Sequence, residues 1–96
     1  MQFLVIARVA EGTPMEKVMP LVQTEAAHVW EDYKADFVRS IHYIGDMSGA
    51  VLMVEADSLE AAKKAVAKLP MVEAGVLNPE IIPLKPYTGL EALFAK

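Results

Sequence analysis

Few side chains in this 96-residue chain are suited to moving a proton. Its two histidines, His28 and His42, carry the side-chain type most often used as a general acid or base. His28 stands near Glu25 and Trp30 in "TEAAHVWEDY", and His42 stands with Arg39 and Tyr43 in "RSIHYIG". Metal-free proton transfer needs such a group within hydrogen-bond reach of the reacting carbon, in a pocket that excludes water. At roughly 100° per residue, His28 falls at the edge of an apolar helix stripe centred near Val29. There it is either a boundary histidine on a wet surface or an acid–base group. Glu25 lies about 40° from Val29 on the same helix, where a carboxylate is either solvated or a partly desolvated base of raised pKa.

His42 shares a strand face with Ser40 and Ile44, whereas Arg39, Ile41 and Tyr43 share the other. Alternation alone does not say which set faces an interior. Trp30 and Tyr33 suit packing on the helix stripe, with a substrate platform as the alternative. Met53, like several other methionines, suits an adaptable apolar pocket, although Met15 and Met19 equally suit helix packing. Glu55 ends an apolar strand, pointing into a cavity or at a neighbour. Asp46 follows a glycine and reads as turn chemistry. The candidate acids, bases and anion holders are therefore His42, Glu25, Arg39 and His28, with Tyr43, Trp30, Met53 and Glu55 around a substrate.

Other chemistry lacks its residues. The chain has no Gly-x-Ser-x-Gly, Walker loop, Gly-x-Gly-x-x-Gly or His-x-x-x-His. It has no cysteine, and the histidines are too far apart for a local metal motif. Neither a metal nor an organic cofactor is expected. A net charge of -4 argues against nucleic acid, which requires clustered Lys and Arg. Lys63, Lys64 and Lys68 read as one solvated helix face. No window approaches the ~18 apolar residues of a membrane span. The first residues have no basic n-region, and Arg8 interrupts their apolar run. A cytoplasmic chain is the expectation.

The elements that must position these residues follow from periodicity. Residues 3–9 form a strand, followed by Thr13-Pro14-Met15-Glu16, which has the form of a capping box. Val18, Val22, Ala26, Val29, Tyr33 and Phe37 then mark one helix face. Pro20 predicts a kink or a fresh start within it. Residues 39–44 form a second strand, closed by the turn at 45–49, and "AVLMVEA" forms a third. A helix capped at Asp57-Ser58 presents Leu59, Ala62, Val66 and Leu69 inward and ends at Pro70. Residues 80–84 form a fourth strand, and a tail follows.

The order is βαββαβ, an α+β ferredoxin-like domain with a four-stranded antiparallel sheet. In its 4-1-3-2 order the two most apolar runs fall centrally. Pro83 then sits on an edge, where a missing N–H is tolerated. Both central runs are apolar on both faces. Two helices cover only one face, so the other predicts an interaction surface. The simplest partner is a second copy, sheet against sheet, as a dimeric α+β barrel. Ten tail residues cannot cover four strands. Residues 87–96 are instead expected to dock on the partner subunit, beginning with a possible capping box at Thr88.

The run "VRSIHYIGDMSGAVLMVEADSLEAAKKAVAKLPMVEAGVLNPEIIPLKPY" resembles the muconolactone isomerase-like and YCII-like dimeric α+β barrels. The likeness rests on an edge strand ending in Gly45-Asp46, an apolar strand ending in Glu55, the "DSLE" cap, the Leu69-Pro70 stop and "IIPLKPY". It implies cofactor-free proton transfer on a small unsaturated lactone and assembly through dimers. Other proteins of this superfamily are monooxygenases, haem-handling proteins or proteins of no known activity. The segment "EGTPMEKVMP" departs from the isomerase pattern, so no isomerase residue is carried over. Two functions follow as expectations: an isomerase-like enzyme acting on a small apolar lactone or carbonyl compound, or a non-catalytic ligand-binding or assembly barrel. The polarity of the cavity discriminates between them.

Overall fold

A computed structural model describes residues 1–95. Strand β1 (Gln2–Val9) buries Phe3, Val5 and Ala7 on one side and leaves Leu4 and Ile6 half-buried on the other. Strand β3 (Gly49–Glu55) lies antiparallel to it and pairs Phe3 with Val54 and Val5 with Leu52. Gly49 is required where these strands meet, because a Cβ there would run into the Ala7 carbonyl oxygen. Strands β2 (Val38–Tyr43) and β4 (Leu77–Pro83) flank the pair, giving the antiparallel order β2-β3-β1-β4. This is the ferredoxin-like βαββαβ arrangement, with the two most apolar strands in the middle.

One sheet face is covered by the helices α2 (Val22–Lys34), α3 (Leu59–Ala67) and α4 (Pro70–Glu73), whereas the short α1 (Met15–Val18) buries no residue. Ala62, Val66 and Leu69 seal the core over Phe3, Val5, Val38, Leu52 and Val54, with Val29, Phe37, Leu59 and Val72 packed around them. The opposite sheet face has no helical cover. By strand pairing it carries Leu4 and Ile6 from β1, Val51 and Met53 from β3, and Glu80 and Ile82 from β4.

Several boundaries differ from the sequence expectation, each for a local reason. The Thr13 box does not form. Its N–H bonds Ala10 in the turn leaving β1, and Pro14 becomes an N-cap without a side-chain bond. Pro20 lies in a 3-10 turn at Met19–Leu21, and α2 starts afresh after it. Ser58, rather than Asp57, caps α3, its Oγ accepting the Ala61 N–H at 3.1 Å. Helix α3 already ends at Ala67, and Pro70 opens α4, where its missing N–H costs nothing. Strand β4 begins at Leu77 rather than at residue 80, because Pro79 is tolerated on this edge.

The long helix stripe is only partly used. Val29 and Phe37 reach the core, whereas Val22, Ala26 and Tyr33 stay exposed. Helix α2 ends in a Schellman turn, with Phe37 N–H on Asp32 O and Asp36 N–H on Tyr33 O. Asp36 takes the left-handed position at φ 64°.

The tail leaves the domain. Residues Thr88–Leu93 form a 3-10 helix without a side-chain cap, so the box expected at Thr88 is absent as well. Tyr87, Leu90, Leu93 and Phe94 are exposed, and the molecule measures 60 × 27 × 20 Å. The tail therefore does not fold back over its own sheet. Lys96, the last residue of the expected tail, lies outside the described residues.

Candidate functional site

The eight candidate residues are distributed over three places. The first is the seam between α2 and α4. Glu25 sits one turn above Val29, half-buried, and its Oε1 accepts the Met71 N–H of α4 at 3.0 Å. Burial pushes its carboxyl above the ordinary range, against the opposing pull of that hydrogen bond and of His28. Asp32, seven residues along the same helix, was not singled out from the sequence. Burial also raises its pKa, while His28 and Lys68 act in the other direction. Its Oδ2 is buried, has no hydrogen bond among the described residues and lies 3.5 Å from His28 Nε2. Helical spacing puts 25, 28 and 32 on one flank of α2, so the row was legible as "E-x-x-H-x-x-x-D". Among the described residues no cluster is arranged to hold a metal ion.

The second place is the uncovered sheet face. His42 pairs with Val51 and Ser40 with Met53, which puts His42, Ser40, Val51 and Met53 on this side and answers the question alternation left open. Around His42 the face is mainly aliphatic. Its polar groups include an exposed Arg8–Glu80 ion pair at 3.5 Å. Arg8 shares the face because it continues the Leu4, Ile6 alternation. Glu55, at the strand end, pairs with the Met1 amino group at 3.2 Å.

The third place is the outer edge of β2. Trp30, Tyr33, Lys34, Asp36, Val38 and Arg39 line an open cleft of about 400 Å³. Tyr43 lies further along β2, on the helix side by its pairing with Ala50, and is largely exposed. A second cleft of about 270 Å³ between α3, α4 and β4 is lined mostly by apolar groups, Val66, Ala67, Val72, Pro79 and Ile81, with Lys63. Asp46 holds the Ser48 N–H at 2.9 Å, and the Ser48 bonds keep its carboxyl below the usual range, in keeping with turn chemistry.

No helix among the described residues is long and apolar enough to cross a membrane. No protein-family model matches the sequence. No curated protein matches it by sequence. Solved structures do match. The 5-chloro-2-hydroxyhydroquinone dehydrochlorinase of Burkholderia phenoliruptrix AC1100, in complex with 2,5-dihydroxybenzoquinone, aligns with a TM-score of 0.66 at 23% identity, over 88% of this chain and 94% of that one. Muconolactone isomerase aligns with a TM-score of 0.72 at 20% identity, over 91% of this chain and 93% of its own. Strand order, crossover helices and these alignments agree: the chain has the ferredoxin-like βαββαβ fold with a four-stranded antiparallel sheet, as muconolactone isomerase has.

Proposed function

We propose that this protein is a small-molecule enzyme that moves a proton on a small apolar lactone or carbonyl compound, without a metal or organic cofactor. The observation that carries this is the α2 row, in which His28 stands between two partly buried carboxylates of raised pKa. A carboxylate with a raised pKa is a stronger base, nearer the working pH. Glu25 takes the proton from the carbon next to the carbonyl and returns it at a conjugated position. Asp32 orients the His28 ring, so that a ring N–H donates to the developing enolate oxygen. The two structural relatives support the substrate class, since their names refer to a lactone and to a hydroquinone.

The assembly belongs to the same proposal. Two copies pair through their uncovered sheet faces, and the projecting tail of each docks on the other. A barrel that binds or assembles without catalysis is the second possibility, favoured by the aliphatic character of the face around His42.

Deuterium exchange separates the two. The full chain, incubated in D2O with an unsaturated γ-lactone, is expected to exchange the proton next to the carbonyl, as followed by NMR. Glu25→Gln, which keeps an acceptor for Met71, should abolish exchange, and His28→Gln should slow it. Absence of exchange by the native chain favours the non-catalytic barrel. Exchange unchanged in both variants removes the α2 row from the chemistry.

A further inference from the structure

The cleft at the outer edge of β2 joins a pair of aromatic rings to the guanidinium of Arg39. Trp30 and Tyr33 are 56% and 52% exposed, with ring centroids 5.8 Å apart and planes inclined by 37°. Aromatic rings left in water forgo burial that would stabilise the fold, unless a ligand or partner supplies it. Lys34 places its Nζ 5.7 Å from the Trp30 ring centre, while also pairing with Glu31 at 3.0 Å. Asp36 stands on the cleft wall because the left-handed end of α2 puts it there.

Arg39 completes the cleft through a defect in the sheet. The β2–β3 register slips between Val38 and Ser40, since Val38 pairs with Val54 and Ser40 with Met53. The extra residue is a bulge, a device that re-aims a side chain out of the strand alternation. The bulge brings Val38 to the helix side next to Arg39, so both line the Trp30 cleft, on the side of the sheet that also carries Ile41 and Tyr43. Among the described residues Arg39 makes no ion pair. A guanidinium offers two parallel N–H donors in the geometry of a carboxylate.

We propose that this cleft binds a small planar carboxylate, an aromatic or conjugated acid. Its ring lies against Trp30 and Tyr33, and its carboxylate is held by the fork of Arg39. The site is separate from the α2 seam, because Trp30 lies about 200° around the helix from His28. It stands whether or not the α2 row is catalytic.

Trp30 is the only tryptophan in the chain, so its fluorescence reports this cleft alone. Benzoate titrated into the full chain is expected to give a saturable change in emission. Benzamide has the same shape without the charge and should bind at least about tenfold more weakly, as should Arg39→Gln toward benzoate. Arg39→Lys, which keeps the charge and loses the fork, should fall between. Calorimetry on Trp30→Leu should show benzoate binding lost, and inorganic phosphate should not displace benzoate from the native protein. Arg39 and Trp30 are exposed, so these variants leave the core intact. Equal binding of benzoate and benzamide, native affinity in Arg39→Gln, displacement by phosphate or an unsaturable titration would each overturn the proposal.

Discussion

Phe3, Val5, Leu52 and Val54 lie on one side of the central strands, and Leu4, Ile6, Val51 and Met53 lie on the other. The two sets are chemically alike. The first is sealed under α3 and the end of α2, with Phe3, Val5 and Val54 at 0% exposure, while the second stays half-buried beneath no helix. Equal hydrophobicity on both faces, with cover for only one, separates the face that folds the chain from the face on which the proposed assembly rests.

A charge placed on each face tests that difference most severely. Val54→Asp puts an unpaired carboxylate into the sealed core, at a cost of several kcal/mol against a total stability of about 5–15 kcal/mol. No cooperative melt should remain by circular dichroism. Met53→Asp, one residue away on the other face, should keep the native spectrum and convert a dimer to a monomer in sedimentation. If both variants unfold alike, the two faces do not differ as described. A smaller effect is expected from deleting residues 88–96. The subunit should melt as before while the dimer dissociates at higher protein concentration, and unaltered association would detach the tail from assembly.

Within the covered layer, Ser58→Ala should lower stability by about 1 kcal/mol through the lost α3 cap. Asp57→Ala should change it by no more than a few tenths. Urea melts of the two variants compare them directly.

The smallest effect concerns pH. Glu25 and Asp32 have folded pKa values raised above the ordinary carboxylate range. Each therefore binds its proton more tightly when folded. The resulting stability is fully present below the unfolded value, about 4. It is lost as pH rises through the folded value. Asp46, lowered by Ser48, works in the opposite sense. Urea melts between about pH 4 and pH 7 should show a shallower decline in Glu25→Gln than in the native chain. An identical pH slope would mean that Glu25 is not desolvated in solution.

Strand order and edge placement were legible because they depend on period-two alternation and on proline, both local properties. Cap residues were read less well. Thr13 and Thr88 have the right type and spacing, but a cap also needs the helix to begin where the hydroxyl can reach an N–H. That start is set by the preceding turn. Asp32 was overlooked for a related reason. Its position beside His28 and Glu25 is local, whereas its partial burial exists only in the folded chain.

The amino-acid sequence by itself determined the βαββαβ order, the central place of the two apolar strands and the presence of a second apolar face. Alternation and helical periodicity are properties of the chain that precede any packing. Only the tertiary structure decided that His42 faces the uncovered side, that a bulge takes Val38 out of the alternation and that Glu25 and Asp32 are partly buried. Each of these depends on strand register or on contact between elements distant in the chain. A shift of one residue in pairing turns a strand's side chains to the opposite face.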